Sequence, residues 1–237
     1  MMLNKMNPEE LTRKSKEIRQ KVIAYRKATR TPHVGSDLSC VEILTTLYYH
    51  AMREEDSFIL SKGHAVGTLY AILHDTGKIP EQEYFKLEEH PTRNPDYGIE
   101  VTSGSLGHGL SIGLGMALAD KRNRIYVLLG DGECDEGQVW EAARTTSELG
   151  VSNLIAIVDC NGWQGLKPAD HLKLDRRFEA FGWTTQRCNG HDCFELTRAL
   201  ELRDYKSPPY VILANTVKAK GLPELEDTLK SHYMVPK

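Results

Sequence analysis

Apolar side chains recur at helical spacing near the start of the chain, with Leu11, Ile18, Val22 and Tyr25 on one face. With Pro8 at the first position, this pattern predicts an amphipathic helix from Pro8 to about Ala28. The segment TRTPHVGSD that follows reads as a loop, and Ser39 is placed to cap a second helix carrying Val41, Leu44, Leu47 and Tyr48. DSFILS (56–61) is a short buried strand that ends at Lys62-Gly63-His64, and a helix follows over Val66–Asp75. Proline and glycine break 88–104 into loop, after which GSLGHGLSIGLGMALAD is a glycine-rich turn running into a helix packed on small residues. Downstream, RIYVLL (124–129), NLIAIVD (153–159) and YVILA (210–214) are continuous apolar runs, and Trp183–Arg187 is a further strand. Helices are predicted over Gly137–Leu149, near Leu174–Phe181 and over Cys193–Glu201. Strands apolar on both faces that alternate with helices imply an α/β fold, a three-layer parallel sheet flanked by helices.

Composition narrows the class. The 237 residues are 40% hydrophobic and 27% charged, which suits one domain or two small ones; the expectation is a single unit over 1–237 with a helical N-terminal arm over about 1–30. No apolar run approaches the ~20 residues of a membrane span. The charged N-terminus lacks the apolar centre of a signal peptide, so a soluble, cytoplasmic protein is expected. Lys plus Arg number 30 against 33 Asp plus Glu, a formal charge of −3 with the signs interspersed, which gives no footprint for nucleic acid. Arg26-Lys27, Arg30, Lys14 and Lys16 read as the solvated face of the first helix, and His50 and His171 as surface loop positions. The cysteines (Cys40, Cys134, Cys160, Cys188 and Cys193) are odd in number and form no CxxC, so no disulfide framework is expected. Cys188-x-x-His191-x-Cys193 has no second pair to complete a zinc site.

The chemistry concentrates where strands end. In a parallel sheet, ligands bind beyond the carboxyl ends of the strands, and RIYVLL runs into Gly130-Asp131-Gly132 while NLIAIVDC runs into Asn161-Gly162. A right-handed crossover brings Asp131 and Asn161 to one edge. A carboxylate, an amide oxygen and a nearby main-chain carbonyl supply half of an octahedral Mg²⁺ shell, the rest coming from phosphate and water. Gly130 and Gly132 would let phosphate approach bare backbone. Other motifs fail: Gly109-Leu-Ser111-Ile-Gly113 matches G-x-S-x-G but lacks the strand that a nucleophile elbow needs. An EF-hand loop from Asp131 fails at Glu136 and Ala142.

GDG at a strand end, followed by a helix, a strand and an Asn, is the motif of thiamine-diphosphate enzymes. The segment GDGECDEGQVWEAARTTSELGVSNLIAIVDCNG resembles the transketolase family, and the resemblance extends from His33 to His232. It implies a diphosphate-binding domain that takes thiamine diphosphate with Mg²⁺ (or Ca²⁺ or Mn²⁺), the metal held by Asp131, Asn161 and the carbonyl of Trp163. HVGSDLS resembles the family's first His-x-Gly loop, SKGHAVGTLYA supplies Lys62 and His64 as a diphosphate-side basic pair, and EHPTRNPDYGIEVTSGSLGHGLSIGLGMA resembles its His-Pro loop and Gly-rich turn. By resemblance, His33, His64, His90 and His232 hold substrate hydroxyls and move protons. Gly107, His108, Gly109, Gly130, Gly132, Lys218 and His232 then line the cofactor, and Glu136 and Glu141 lie near the family's dimer interface and cofactor site. Two segments depart from the pattern: Gly162–Pro168, where Gly165 replaces an apolar group that packs on the cofactor, and SHYMVPK, which lacks the usual His-Gly.

The family's reaction also needs a glutamate from a second, pyrimidine-binding domain, which this sequence does not contain. The expectation is the N-terminal subunit of a split transketolase, forming an α2β2 heterotetramer with a separate C-terminal subunit. It would transfer a two-carbon ketol unit from a ketose or ketose phosphate to an aldose. The alternatives are deoxyxylulose-phosphate-synthase-like carboligation and a non-catalytic thiamine-diphosphate-binding subunit.

Overall fold

The computed structural model describes residues 5–201 and 208–236. Helix α1 (Pro8–Thr29) starts at a capping box, in which the Asn7 side chain accepts from the Glu10 amide and the Glu10 carboxylate accepts from the Asn7 amide. Two short helices follow, α2 (Val34–Ser39) and α3 (Val41–Thr46), the latter running into a π-helical turn over Leu47–Ala51. Strand β1 (Ser57–Leu60), α4 (Val66–Asp75), the single turn α5 (Glu81–Tyr84) and α6 (His108–Ala119) complete the first half. The second half alternates strand and helix: β2 (Ile125–Gly130), α7 (Gly137–Glu148), β3 (Leu154–Cys160), α8 (Leu174–Ala180), β4 (Thr184–Asn189), α9 (Cys193–Glu201) and β5 (Tyr210–Asn215).

The strands form one parallel sheet in the order β1-β2-β3-β5-β4. Alternation along each strand divides the core in two. Phe58, Leu60, Tyr126, Leu128, Ile155, Ile157 and Ile212 face a cluster built with α1, α3, α4 and α9. Ile59, Val127, Leu129, Ala156, Val158, Val211 and Leu213 face a second cluster built with α6, α7 and α8. The expected three-layer architecture is therefore present, and because every strand runs the same way, all the carboxyl ends open on one edge. Among the described residues, no helix is long and apolar enough to cross a membrane.

Two local expectations are corrected. TRTPHVGSD is not all loop: α2 begins inside it at Val34, and its residues are buried. Ser39 does not cap α3; its hydroxyl donates to the Ser36 carbonyl and to Asp159 instead, and Cys40 stands at the cap position without a side-chain bond to the helix amides.

Candidate active site

The floor of the site is built where β1, β2, β3 and β5 end. Asp159, fully buried near the end of β3, accepts from the Lys62 ammonium, the Ser39 and Thr216 hydroxyls and, at 3.0 Å, the Asn161 side-chain amide. Burial alone would raise this carboxyl, but the Lys62 charge and the donated hydrogen bonds hold it below the usual aspartate value. Burial works to lower Lys62 in turn, and Asp159 overcomes it and keeps the ammonium above the ordinary lysine value. Lys62 also donates to the Ser36 carbonyl at 3.0 Å. Its charge is thus engaged beneath the site.

Asp131 spans two strand ends. One carboxylate oxygen accepts from the Gly132 amide at 2.8 Å and the other from the Gly162 amide at 2.6 Å. Burial and the nearby Asp159 charge push it up to about 7. His171 Nδ1 lies 3.8 Å from the same carboxylate and has no hydrogen-bond partner. His171 is therefore part of this corner and not a surface loop position. The Asn161 side-chain oxygen Oδ1 accepts from the Trp163 main-chain amide at 3.1 Å, which keeps Trp163 on the same turn. The donor set fits a divalent cation: an under-compensated buried carboxylate, an amide oxygen and a loop carbonyl from Trp163 are hard oxygen ligands of the kind Mg²⁺ takes.

Glu133, which sequence reasoning passed over, organises the glycine turns. Buried, it accepts from the Ser61 hydroxyl, from the Gly107 amide at 2.8 Å and from the Gly130 amide at 3.0 Å. Gly107 has φ +86, and a Cβ there would come within 2.8 Å of Glu136 Cβ, so only glycine serves. The Gly109 amide bonds the Ser61 hydroxyl at 3.2 Å, while His108 beside it is exposed. At Gly132 a Cβ would meet the Gln164 side chain at 2.6 Å. Glu136 and Glu141 are exposed, the latter paired with Arg144 at 3.2 Å.

Above this floor the fold gathers histidines from distant parts of the chain. The His33 ring centroid lies 5.3 Å from His64, 6.1 Å from His90 and 5.0 Å from His232, and His64 lies 5.3 Å from His232. Tyr233 closes one side, 4.7 Å from His232. Gly165 leaves room for this: a Cβ there would stand 3.1 Å from the Tyr233 hydroxyl and 3.2 Å from His232 Nε2. The buried Lys218 ammonium lies 3.0 Å from His232 Nδ1, and an ammonium can only donate, so the His232 proton sits on Nε2. Burial lowers Lys218 to about 8, with the Lys62 charge adding to the effect. Burial and neighbouring cations likewise lower His232 to about 3 and hold His64 well below the ordinary imidazole value. Both rings are neutral at pH 7: His232, its Nδ1 taken by Lys218, offers its Nε2–H, and His64 has one nitrogen on the Ser36 hydroxyl at 3.0 Å.

Arg26 corrects the reading of α1 as a helix with a solvated basic face. Fully buried, it reaches Asp37 through Nε at 2.6 Å and Nη2 at 3.2 Å, and donates to the His64 carbonyl at 2.9 Å. Lys14 bonds Asp75 at 3.2 Å. His50 is also held, between the Met6 carbonyl and Glu201, each at 2.8 Å. Ser111 lies inside α6, where its hydroxyl accepts from Gln138. The cysteines are free and buried, and His191 bonds Glu42 and the Val217 amide.

The family described as transketolase, thiamine diphosphate binding domain, matches residues 12–235. An apulose-4-phosphate transketolase subunit from Actinobacillus succinogenes is 37% identical, over 98% of this chain and 95% of that protein. A 6-deoxy-6-sulfo-D-fructose transketolase subunit from a Clostridium species is 38% identical, over 85% of this chain and 82% of its own length. Among solved structures, a transketolase from Campylobacter jejuni superposes with a TM-score of 0.89 at 29% identity, over 98% of this chain and 41% of that one. The chain thus spans about two fifths of the solved transketolase and nearly all of the Actinobacillus protein.

Proposed function

Since the chain belongs to the transketolase family through its thiamine diphosphate-binding domain, we propose that it is the N-terminal subunit of a split transketolase. With a partner subunit carrying the pyrimidine-binding domain, it moves a two-carbon ketol unit from a ketose or ketose phosphate to an aldose acceptor. The observation that carries this reading is the convergence of Asp131 and Asn161 at the ends of neighbouring strands with His33, His64, His90 and His232 gathered above them. The near-full coverage of a relative that is itself named as one subunit of a transketolase supports the division into two chains and a sugar phosphate as substrate class.

In this reading residues 1–237 act as one diphosphate-binding unit in the cytoplasm. Asp131, Asn161 and the Trp163 carbonyl hold Mg²⁺, and Lys218, His64 and His232 face the diphosphate. Thiamine diphosphate, when bound, supplies the electron sink that carbon–carbon cleavage between carbonyl and hydroxyl carbons requires. Lys62 contributes by neutralising Asp159 beneath the metal corner, which leaves Asp131 as the carboxylate open to the cation. The neutral rings of His64 and His232, with His33 and His90 beside them, hold the ketol hydroxyls and move protons between them.

Self-association into an α2β2 assembly is supported by α6, which is apolar on its outer side as well as its inner one. Ile112 is 38% exposed, Leu118 is 40% exposed, and Gly115 faces open space.

The test is to recover the chain from its host lysate with thiamine diphosphate and Mg²⁺ present, then assay the purified pair with ketose phosphates and aldoses. Ketol transfer by the pair and none by the chain alone is expected. Tight cofactor binding without ketol transfer by any assembly would replace this reading with a non-catalytic binding subunit.

A further inference from the structure

His33 has an acceptor at each ring nitrogen. Its Nδ1 is 2.9 Å from the main-chain carbonyl oxygen of His232, a group that only accepts, so Nδ1 carries a hydrogen. Its Nε2 is 3.0 Å from Oε1 of Glu89. A neutral imidazole has one N–H, here already given to His232, so its Nε2 would turn a lone pair toward a carboxylate lone pair. That contact is attractive only with a proton in it.

We propose that Glu89 is the positioning residue that sets whether His33 Nε2 donates or accepts, because its contact with that nitrogen closes only around a proton on the ring. Both residues are held in place for it. The His33 amide also bonds the His232 carbonyl, at 3.1 Å. The loop carrying Glu89 is pinned on either side, by the Tyr25 hydroxyl on the Leu87 carbonyl and by the Ser103 amide on the Pro91 carbonyl. The Glu89 side chain is 37% exposed, so it can rotate into water when another hydrogen-bonding group takes its place at Nε2.

The other groups facing His33 do not supply this proton. Arg26 and Asp37 oppose each other in their own ion pair, and the rings of His64, His90, His232 and Tyr233 lie 5.0 to 6.1 Å away. Burial pulls His33 below the ordinary imidazole value, and the Glu89 charge is the strongest influence in the other direction. The use of the pair in ketol transfer rests on the functional reading above. A sugar hydroxyl that displaces the Glu89 carboxylate meets a donor or an acceptor at the same nitrogen, according to whether the ring holds the proton.

The experiment is a pH titration of the ring nitrogens by ¹⁵N–¹H correlation spectra of the full-length chain, with the His33 signals assigned through His33→Gln. In the unaltered protein Nδ1 is expected to stay protonated while Nε2 titrates. In Glu89→Gln the His33 midpoint moves to lower pH, and Glu89→Asp returns part of that shift. An unchanged midpoint in a folded Glu89→Gln protein, or a ring that carries its proton on Nε2 with Nδ1 bare, overturns the proposal. The titration needs neither cofactor nor partner, so an enzyme inactive in every assembly would count against the functional reading alone.

Discussion

Asp159 shows how much one carboxylate can organise. It gathers donors from Lys62 beyond β1, Ser39 in α2, Asn161 beyond β3 and the half-buried Thr216 beyond β5. Removing one member of a buried ion pair strands the other, at a cost of about 3–5 kcal/mol. Asp159→Ala is therefore expected to lower the urea unfolding midpoint sharply, and Lys62→Met in the same background to recover part of the loss. Asp131 is placed differently, buried between two strand ends and, among the described residues, paired with no lysine or arginine. Asp131→Ala is expected to abolish metal-dependent binding of thiamine diphosphate, followed by quenching of tryptophan fluorescence. Unchanged affinity would reject the metal site. Asp131 and Asn161 were legible in the sequence because each ends an apolar strand run. Glu133 and Asp159 were not, because their partners lie on other segments, and a lone acid in a chain advertises nothing about what it will meet. Arg26 was misread for the same reason: periodicity counts a charge as outward-facing, and its partner Asp37 sits on the next helix.

Among the elements, α6 departs most from the usual division of a helix into wet and dry faces. Gly113 lets it lie against the sheet, where a Cβ would come within 2.7 Å of Val127 Cγ2. Its outer side still offers Ile112 and Leu118 to solvent. A charge placed there leaves the core untouched and opposes burial against a partner. Ile112→Glu is thus expected to reduce the assembled mass in light scattering while the circular dichroism of the chain holds, and an unaltered mass would remove α6 from the interface. The long apolar runs made β2, β3 and β5 easy to read, since each is covered on both faces. The edge strand β4 (TTQRCN) is more exposed, and the sequence reading starts it one residue early, at Trp183, and ends it two early, at Arg187. Helix α2 was missed because VGSDLS has the composition of a turn; it is helical where the Asp37 ion pair and the packing of Val34 and Leu38 bury it.

For the molecule as a whole, the histidine cluster ties stability to pH. The folded-state values of His64 and His232 are depressed, chiefly by burial, whereas in the unfolded chain a histidine titrates near 6.5. The unfolded state therefore binds more protons on acidification, so this contribution is complete above about pH 6.5 and is lost as pH falls toward the folded values. Asp131, raised by burial, works in the opposite sense in the same range, which makes the comparison with a variant the informative one. Between about pH 6.5 and 5, His232→Gln is expected to lose melting temperature less steeply than the unaltered protein. Parallel slopes would show that His232 is not held neutral by the fold.

The strand order carries one more consequence. The last of the described strands, β5, is also an inner one, lying between β3 and β4. While the nascent chain emerges from the ribosome, β3 keeps an open hydrogen-bonding edge and β4 has no neighbour until residues 210–215 arrive. Lys218 and His232 follow only after that. The cofactor pocket therefore cannot form until residues 210–232 have emerged, and a ribosome stalled between β4 and β5 would display an apolar sheet edge of the kind that chaperones capture.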